Sequence, residues 1–300
     1  MKNLYALCLL LCSAPLGAHA AGSTQLDIGG GTLEVVFAPG ELDLPQATVL
    51  EWIAKSAQAV AGYYGRFPVK NLRLTVTPTA GTGVRSGKTF GYPSASIRIS
   101  LGRETNSAQL EKDWILVHEL VHLAFPSVGN GHNWIEEGIA TYVEPIARVR
   151  AGQLSAEKIW GDMISGMPHG MPQAGDRGLD FTPTWGRTYW GGALFCLLAD
   201  IEIRKRTQNR HGLQDALRAI VAAGGNIEED WDLRRAFKIG DAATGVTVLT
   251  ELYEKMRATP VDMSLTELWK ELGVEVQGRG VIFDEQAPLA NVRRAITGAG

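Results

Sequence analysis

The sequence predicts an α+β fold in which a small mixed β-sheet half and a helical half face each other across a cleft. Two observations predict it. Up to about residue 105, apolar residues alternate with polar ones in several short runs around one helical stretch, whereas after Asn106 the apolar spacing is almost continuously helical. A chain of 300 residues with 45% hydrophobic and 20% charged content can also bury a sizeable core.

The elements follow in order. Residues 1–20 have the form of a signal peptide: Lys2, an apolar run from Leu4 to Cys12, and the small-x-small site Ala18-His19-Ala20, with cleavage after Ala20. Pro15-Leu16-Gly17 stops the run well short of the roughly 18–20 apolar residues that a membrane anchor needs. Leu11, where a small residue would be wanted before Cys12, argues against a lipoprotein signal. Residues 21–105 form a sheet-bearing subdomain. Thr24–Ile28 and Thr32–Phe37 flank Gly29-Gly30-Gly31 as a hairpin, and no Lys-Ser/Thr follows to make those glycines a phosphate loop. Pro45–Tyr64 is an amphipathic helix with Val49, Ile53, Ala57 and Val60 on one face. Asn71–Thr77 and Ala95–Leu101 are half-buried strands, and the Gly-rich stretch Ala80–Tyr92 between them reads as a loop. Ala95–Leu101 is expected at a sheet edge, open to an extended peptide by strand addition.

Residues 106–273 form a helical subdomain with helices over 107–125, 133–144, 155–164, 188–206, 212–223 and 264–272, and a long mobile loop over 161–184. Residues 274–300 are a tail with one or two strands that packs on the domain. The charge balance, 29 − 32 = −3, has no basic run, which excludes nucleic acid as an expected partner. Of three cysteines, two lie in the signal segment, leaving Cys196 as a lone thiol. An exported chain without disulfides points to a periplasmic or secreted protein with no stable membrane insertion after cleavage.

Chemistry is concentrated in His118-Glu119-Leu120-Val121-His122, an H-E-x-x-H sequence on a predicted helix. Residues four apart share a helix face, so two imidazoles can converge on one Zn²⁺ at about 2.0–2.1 Å. Glu119 is then placed to take a proton from an activated water rather than to bind the metal. A buried helix carrying these three side chains needs a partner that neutralises them, and a metal does so. Pro126-Ser127-Val128 excludes the metzincin continuation. A third ligand is expected from the next helix, Asn133-Trp134-Ile135-Glu136-Glu137-Gly138-Ile139-Ala140-Thr141-Tyr142, with Asn133 as its cap and Pro145 closing it. Glu136 stands at the capping-box position three residues on, which leaves Glu137 as the free carboxylate and third zinc ligand.

These two segments together resemble the gluzincin zinc metallopeptidases, and most nearly the membrane-alanyl and glycyl aminopeptidase branches, whose ligand helix reads W-x-x-E-G-x-A/T-x-Y. The resemblance implies a thermolysin-like zincin catalytic domain and places the ligand at Glu137, just before Gly138. It extends to Thr188-Tyr189-Trp190-Gly191-Gly192-Ala193, similar to the family's Y-x-K-G-A helix start. There the tyrosine donates a hydrogen bond to the tetrahedral intermediate, which implies that role for Tyr189. The likeness covers roughly residues 95–207. The interval from His122 to Glu137 is shorter than in the alanyl branch, the G-x-M-E-N motif is absent, and Gly191 stands where lysine is usual. Endo- and aminopeptidase action both stay open.

His132, in Gly129-Asn130-Gly131-His132, is a candidate contact to substrate or oxyanion. Asp200 is a candidate to orient a zinc-bound imidazole, with an ordinary i,i+4 ion pair to Arg204 as the alternative. The tryptophans, among them Trp52, Trp114, Trp134 and Trp160, read as core. The sequence thus implies a zinc-dependent peptidase with one Zn²⁺ per chain, Glu119 as general base, and a peptide or protein substrate, cell-wall peptide included. The alternative is a non-catalytic zinc-containing protein of the same fold that binds peptides or wall fragments, which would need no Glu119.

Overall fold

The computed structural model describes residues 23–278 and 280–298. The signal peptide expected over residues 1–20 lies outside the described residues. In chain order the elements are β1 (Ser23–Ile28), β2 (Gly31–Phe37), α1 (Gln46–Tyr64), β3 (Asn71–Thr79), β4 (Val84–Phe90), β5 (Ser96–Gly102), α2 (Ser107–Glu111), α3 (Ile115–His122) and α4 (Asn133–Arg150). They continue with α5 (Ala156–Gly166), α6 (Gly192–Thr207), α7 (Leu213–Ala222), α8 (Leu233–Thr244), α9 (Val248–Met256), α10 (Leu265–Leu272), β6 (Val274–Gln277), β7 (Gly280–Phe283) and α11 (Ala290–Thr297).

The five-stranded sheet has the order β1-β2-β3-β5-β4. The two outer pairs are antiparallel and the two inner pairs parallel, so the sheet is mixed as expected. Gly29 and Gly30, at φ 56° and 86°, supply the left-handed turn that a two-residue hairpin between β1 and β2 requires. One sheet face presents Leu33, Val35, Leu74, Val76, Ile97 and Ile99, all buried, in register across β2, β3 and β5. The core is contiguous from these side chains through α1 and α3 into the helical half. No helix among the described residues is long and apolar enough to cross a membrane.

Several elements depart from the sequence expectation, each for a definable reason. Ala95–Leu101 is not the edge: β5 lies between β3 and β4, and the edge on that side is β4, within the stretch expected as a loop. Its sequence Val-Arg-Ser-Gly-Lys-Thr-Phe has no apolar alternation, because the side it turns toward α3 meets Glu119 rather than core. The helix expected over 107–125 is two helices. The Asp113 carboxylate accepts the N–H groups of Ile115 (3.1 Å) and Leu116 (3.0 Å), satisfying the first amides of a new helix and ending the old one. Neither Asn133 nor Pro145 acts as expected: Asn133 is already helical and makes no cap, and Pro145 sits inside α4, which continues to Arg150. Buried Tyr142, Val143, Ile146 and Ala147 flank Pro145, so packing on both sides holds the helix through it.

The 161–184 stretch, expected as one loop, contains helix and internal polar ties. α5 runs to Gly166, and a buried ion pair joins Asp176 to Arg187 at 2.8 Å. Arg187 also donates to the carbonyl of Gly170. The tail carries the β6–β7 hairpin and, beyond expectation, α11 with Val292 and Ile296 buried. Helices α8 and α9 were not expected either. Trp114, read as core, is 53% exposed, while Trp52, Trp134 and Trp160 are buried.

Candidate metal centre and active site

α3 and α4 carry the candidate ligands. His118 and His122 stand one turn apart on α3, their rings 4.9 Å apart and nearly perpendicular. Oε2 of Glu137, from α4, lies 3.2 Å from Nε2 of His118 and 3.5 Å from Nε2 of His122. One donor atom from each of the three residues falls within 4.8 Å of the others, the only such group of three or more metal-binding side chains among the described residues. Two imidazoles and one carboxylate are a donor set suited to zinc, and three ligands leave a position for water or substrate. The electrostatics of the carboxylate agree, while a metal at His122 would displace a proton. Burial pushes the Glu137 carboxyl up, but the hydrogen bonds and charges of His118 and His122 outweigh it and bring it down to about 2. Burial pushes His122 down, yet Glu137, Glu119 and Glu136 together raise it. The carboxylate is therefore held charged, as a ligand must be.

α4 reaches this position through glycine. An added Cβ on Gly138 would lie 2.3 Å from the backbone carbon of Gly192, and one on Gly192 would lie 2.0 Å from the carbonyl oxygen of Trp134. α4 and α6 thus cross backbone to backbone, which brings the Glu137 helix against the segment that carries Tyr189. That segment, Arg187–Gly191, is a single π-helical turn, a form that recurs at functional sites. The Tyr189 ring is 6.4 Å from that of His118, at 23°. Burial and then the negative charges of Glu137 and Glu119 raise its phenol, keeping the hydroxyl a donor.

Glu119 points toward β4. The Thr89 hydroxyl lies 2.6 Å from Oε2 of Glu119 and 2.8 Å from its backbone oxygen. Gly87 lets β4 approach this closely, since a Cβ there would come within 2.5 Å of Glu119 Cγ. Glu136 does not form the expected capping box; its Oε1 accepts the N–H of Val128 at 2.9 Å, tying α4 to the chain leaving α3. Glu137, not Glu136, is the carboxylate that lies beside His118 and His122, and the capping argument does not account for it.

His132 makes its hydrogen bond away from the ligand set: Nδ1 is 2.9 Å from Oδ1 of Asp180. The same carboxylate accepts Trp134 Nε1 at 2.8 Å and the Tyr253 hydroxyl at 3.0 Å. Asp200 is structural. It accepts from Arg204 Nε (2.8 Å), the Tyr142 hydroxyl (3.0 Å) and the Leu213 N–H (3.0 Å), and none of its partners is a ligand imidazole. Sequence reasoning missed Thr89, Gly87 and Asp180. A polar residue in a Gly-rich run carries no periodic signal, and Asp180 is tied in only by contacts distant in sequence.

No family model and no curated protein sequence matches the chain. Solved structures do. An aminopeptidase N family protein from Idiomarina loihiensis superposes with a TM-score of 0.62 at 15% identity, covering 85% of this chain and 50% of that one. An M1 zinc metallopeptidase from Deinococcus radiodurans gives 0.51 at 14% identity, over 81% and 52%. A variant of that organism's enzyme bound to a Tyr-Ser-Ala substrate also gives 0.51, at 12% identity, over 82% and 53%. This chain has the fold of M1 zinc metallopeptidases. It spans about half the length of these proteins.

Proposed function

We propose that this protein is an exported, zinc-dependent peptidase of gluzincin type, periplasmic or secreted, acting on peptide or protein. The observation that carries the reading is the convergence of His118, His122 and Glu137 within 4.8 Å, beside a glutamate that is not in the ligand set. His118, His122 and Glu137 would hold one Zn²⁺, which when bound supplies a Lewis acid and lowers the pKa of water toward about 7. Glu119 takes a proton from the water as its oxygen bonds to the peptide carbonyl carbon. It returns that proton to the amine nitrogen as the C–N bond breaks. Thr89 holds one oxygen of Glu119, leaving the other for this transfer. Tyr189 donates its phenolic hydrogen to the carbonyl oxygen as negative charge develops there.

Glu119→Gln tests the reading, because it keeps shape and removes the base. Zinc content by elemental analysis should stay near one per chain, while hydrolysis of a peptide library falls about 10²–10⁴-fold. Wild-type protein that carries no zinc and cuts peptides undiminished in chelator would refute it.

A further inference from the structure

Two tryptophans flank the candidate active site with their rings in solvent. Trp114 is 53% exposed and Trp185 62%. Single exposed aromatic residues are ordinary, so exposure alone says little. What distinguishes this pair is what the rings touch. Trp114 stands one helical turn before His118, and its indole meets that imidazole edge-on at 5.5 Å and 90°. Trp185 stands four residues before Tyr189, with its indole 6.3 Å from the phenol ring. Tyr189 in turn stacks over His118 at 6.4 Å. Three successive ring contacts thus link the two indoles through the metal-ligand and oxyanion-donor candidates.

The backbone beneath each indole is tied by polar contacts. Trp114 sits where the Asp113 carboxylate starts α3. Trp185 packs on His169 at 5.5 Å, in the stretch pinned by the buried Asp176–Arg187 pair. A fixed, solvent-exposed aromatic face gains most by covering apolar or aromatic area of a ligand. An extended peptide advances about 3.3 Å per residue, so side chains one or two positions from a bond at the metal centre reach rings this near.

Resting on the peptidase reading above, we infer that Trp114 and Trp185 are specificity-determining residues, forming two aromatic subsites that select peptides with bulky aromatic side chains flanking the scissile bond. Both rings adjoin the groups that would act on a peptide carbonyl, which favours peptide over a sugar ring as their occupant.

The test uses the zinc-loaded full chain and blocked peptides in two series, with Phe or Ala placed on either side of the cleavable bond. Wild type should cut the Phe peptides with kcat/KM about 10- to 100-fold above the Ala peptides. Trp114→Ala and Trp185→Ala should each bring that ratio toward one in one of the two series, with Trp→Phe restoring much of it. Circular dichroism should match wild type, and kinetics are compared per bound zinc because Trp114 touches His118. Equal cleavage of Phe and Ala peptides would overturn the inference and leave the peptidase reading standing. Should nothing be cut, calorimetric binding of the same peptides to zinc-loaded Glu119→Gln decides separately. A Phe preference that the tryptophan variants abolish upholds the subsites without catalysis, and its absence removes them. Tryptophan-dependent binding of an N-acetylglucosamine disaccharide with no Phe preference would also overturn the inference, by assigning the rings to glycan.

Discussion

The Thr89 hydroxyl sits 2.6 Å from Oε2 of Glu119, so the edge strand β4 reaches directly into the candidate active site. The contact places Oε2 on the β4 side, with the single hydroxyl hydrogen shared between it and the Glu119 backbone oxygen at 2.8 Å. Thr89→Val keeps the branched shape and removes the donor. We expect kcat to fall about 10-fold with KM and zinc content little changed, because general-base efficiency depends on geometry. Thr89→Ser should recover most of the loss. Steady-state kinetics on a single peptide substrate checks this, and an unaltered kcat in Thr89→Val would show that the bond does not orient Glu119.

Gly87→Ala tests the same contact by volume. The new methyl would stand 2.5 Å from Glu119 Cγ and 2.7 Å from Ile115 Cγ2, so either the strand or the carboxylate must move. Activity should drop by at least the Thr89→Val factor while zinc is retained. A variant with full activity would mean that β4 can shift away at no cost to the site.

Glu137 and Glu136 are adjacent and should behave oppositely. Glu137→Ala removes one of the three candidate ligands and should abolish zinc retention through gel filtration. Glu136→Ala should keep zinc, but it strips the Val128 N–H of its acceptor, at a cost of about 1–3 kcal/mol in chemical denaturation. Zinc loss in Glu136→Ala alone would reverse the assignment.

Gly138→Ala sets two effects against each other. Helix propensity favours alanine by about 1 kcal/mol. The methyl, however, would lie 2.3 Å from the Gly192 backbone, which cannot yield as a flexible side chain would. Overpacking typically costs 1–3 kcal/mol, so the net effect should be destabilising, with α4 displaced and zinc affinity reduced. Thermal denaturation with and without zinc measures both.

Glu144 supplies a pH dependence remote from the candidate metal centre. Burial raises its carboxyl from 4.5 to about 7, against the charge and hydrogen bond of Arg148 at 2.8 Å, and Asp113 and Asp162 push it further up. Between these values the folded chain holds a proton that the unfolded chain has released. Stability from this group is therefore full below about pH 4.5 and is lost as pH rises toward 7, by on the order of 1–3 kcal/mol. Urea denaturation of wild type and Glu144→Gln at pH 5 and pH 8 should show wild type losing more across that interval. Identical pH slopes would exclude the linkage.

What could be read from sequence is what repeats locally. The β1–β2 hairpin, α1, β3 and β5 declare themselves by periodicity, and the four-residue spacing of His118 and His122 already puts both on one helix face. Glu137 beside Gly138 was legible as a motif. Tertiary structure alone decided the rest. It made a polar, Gly-containing stretch into β4, because an edge strand that packs on Glu119 needs closeness and a hydroxyl rather than apolar alternation. It redirected Glu136 from a helix cap to the Val128 amide, and it carried α4 through Pro145. It set Trp114 and Trp185 in solvent, each with its ring against a candidate site residue. β4 rests on a partner thirty residues away in sequence, and the others rest on how neighbouring elements pack; local periodicity holds no record of which backbone a side chain will meet.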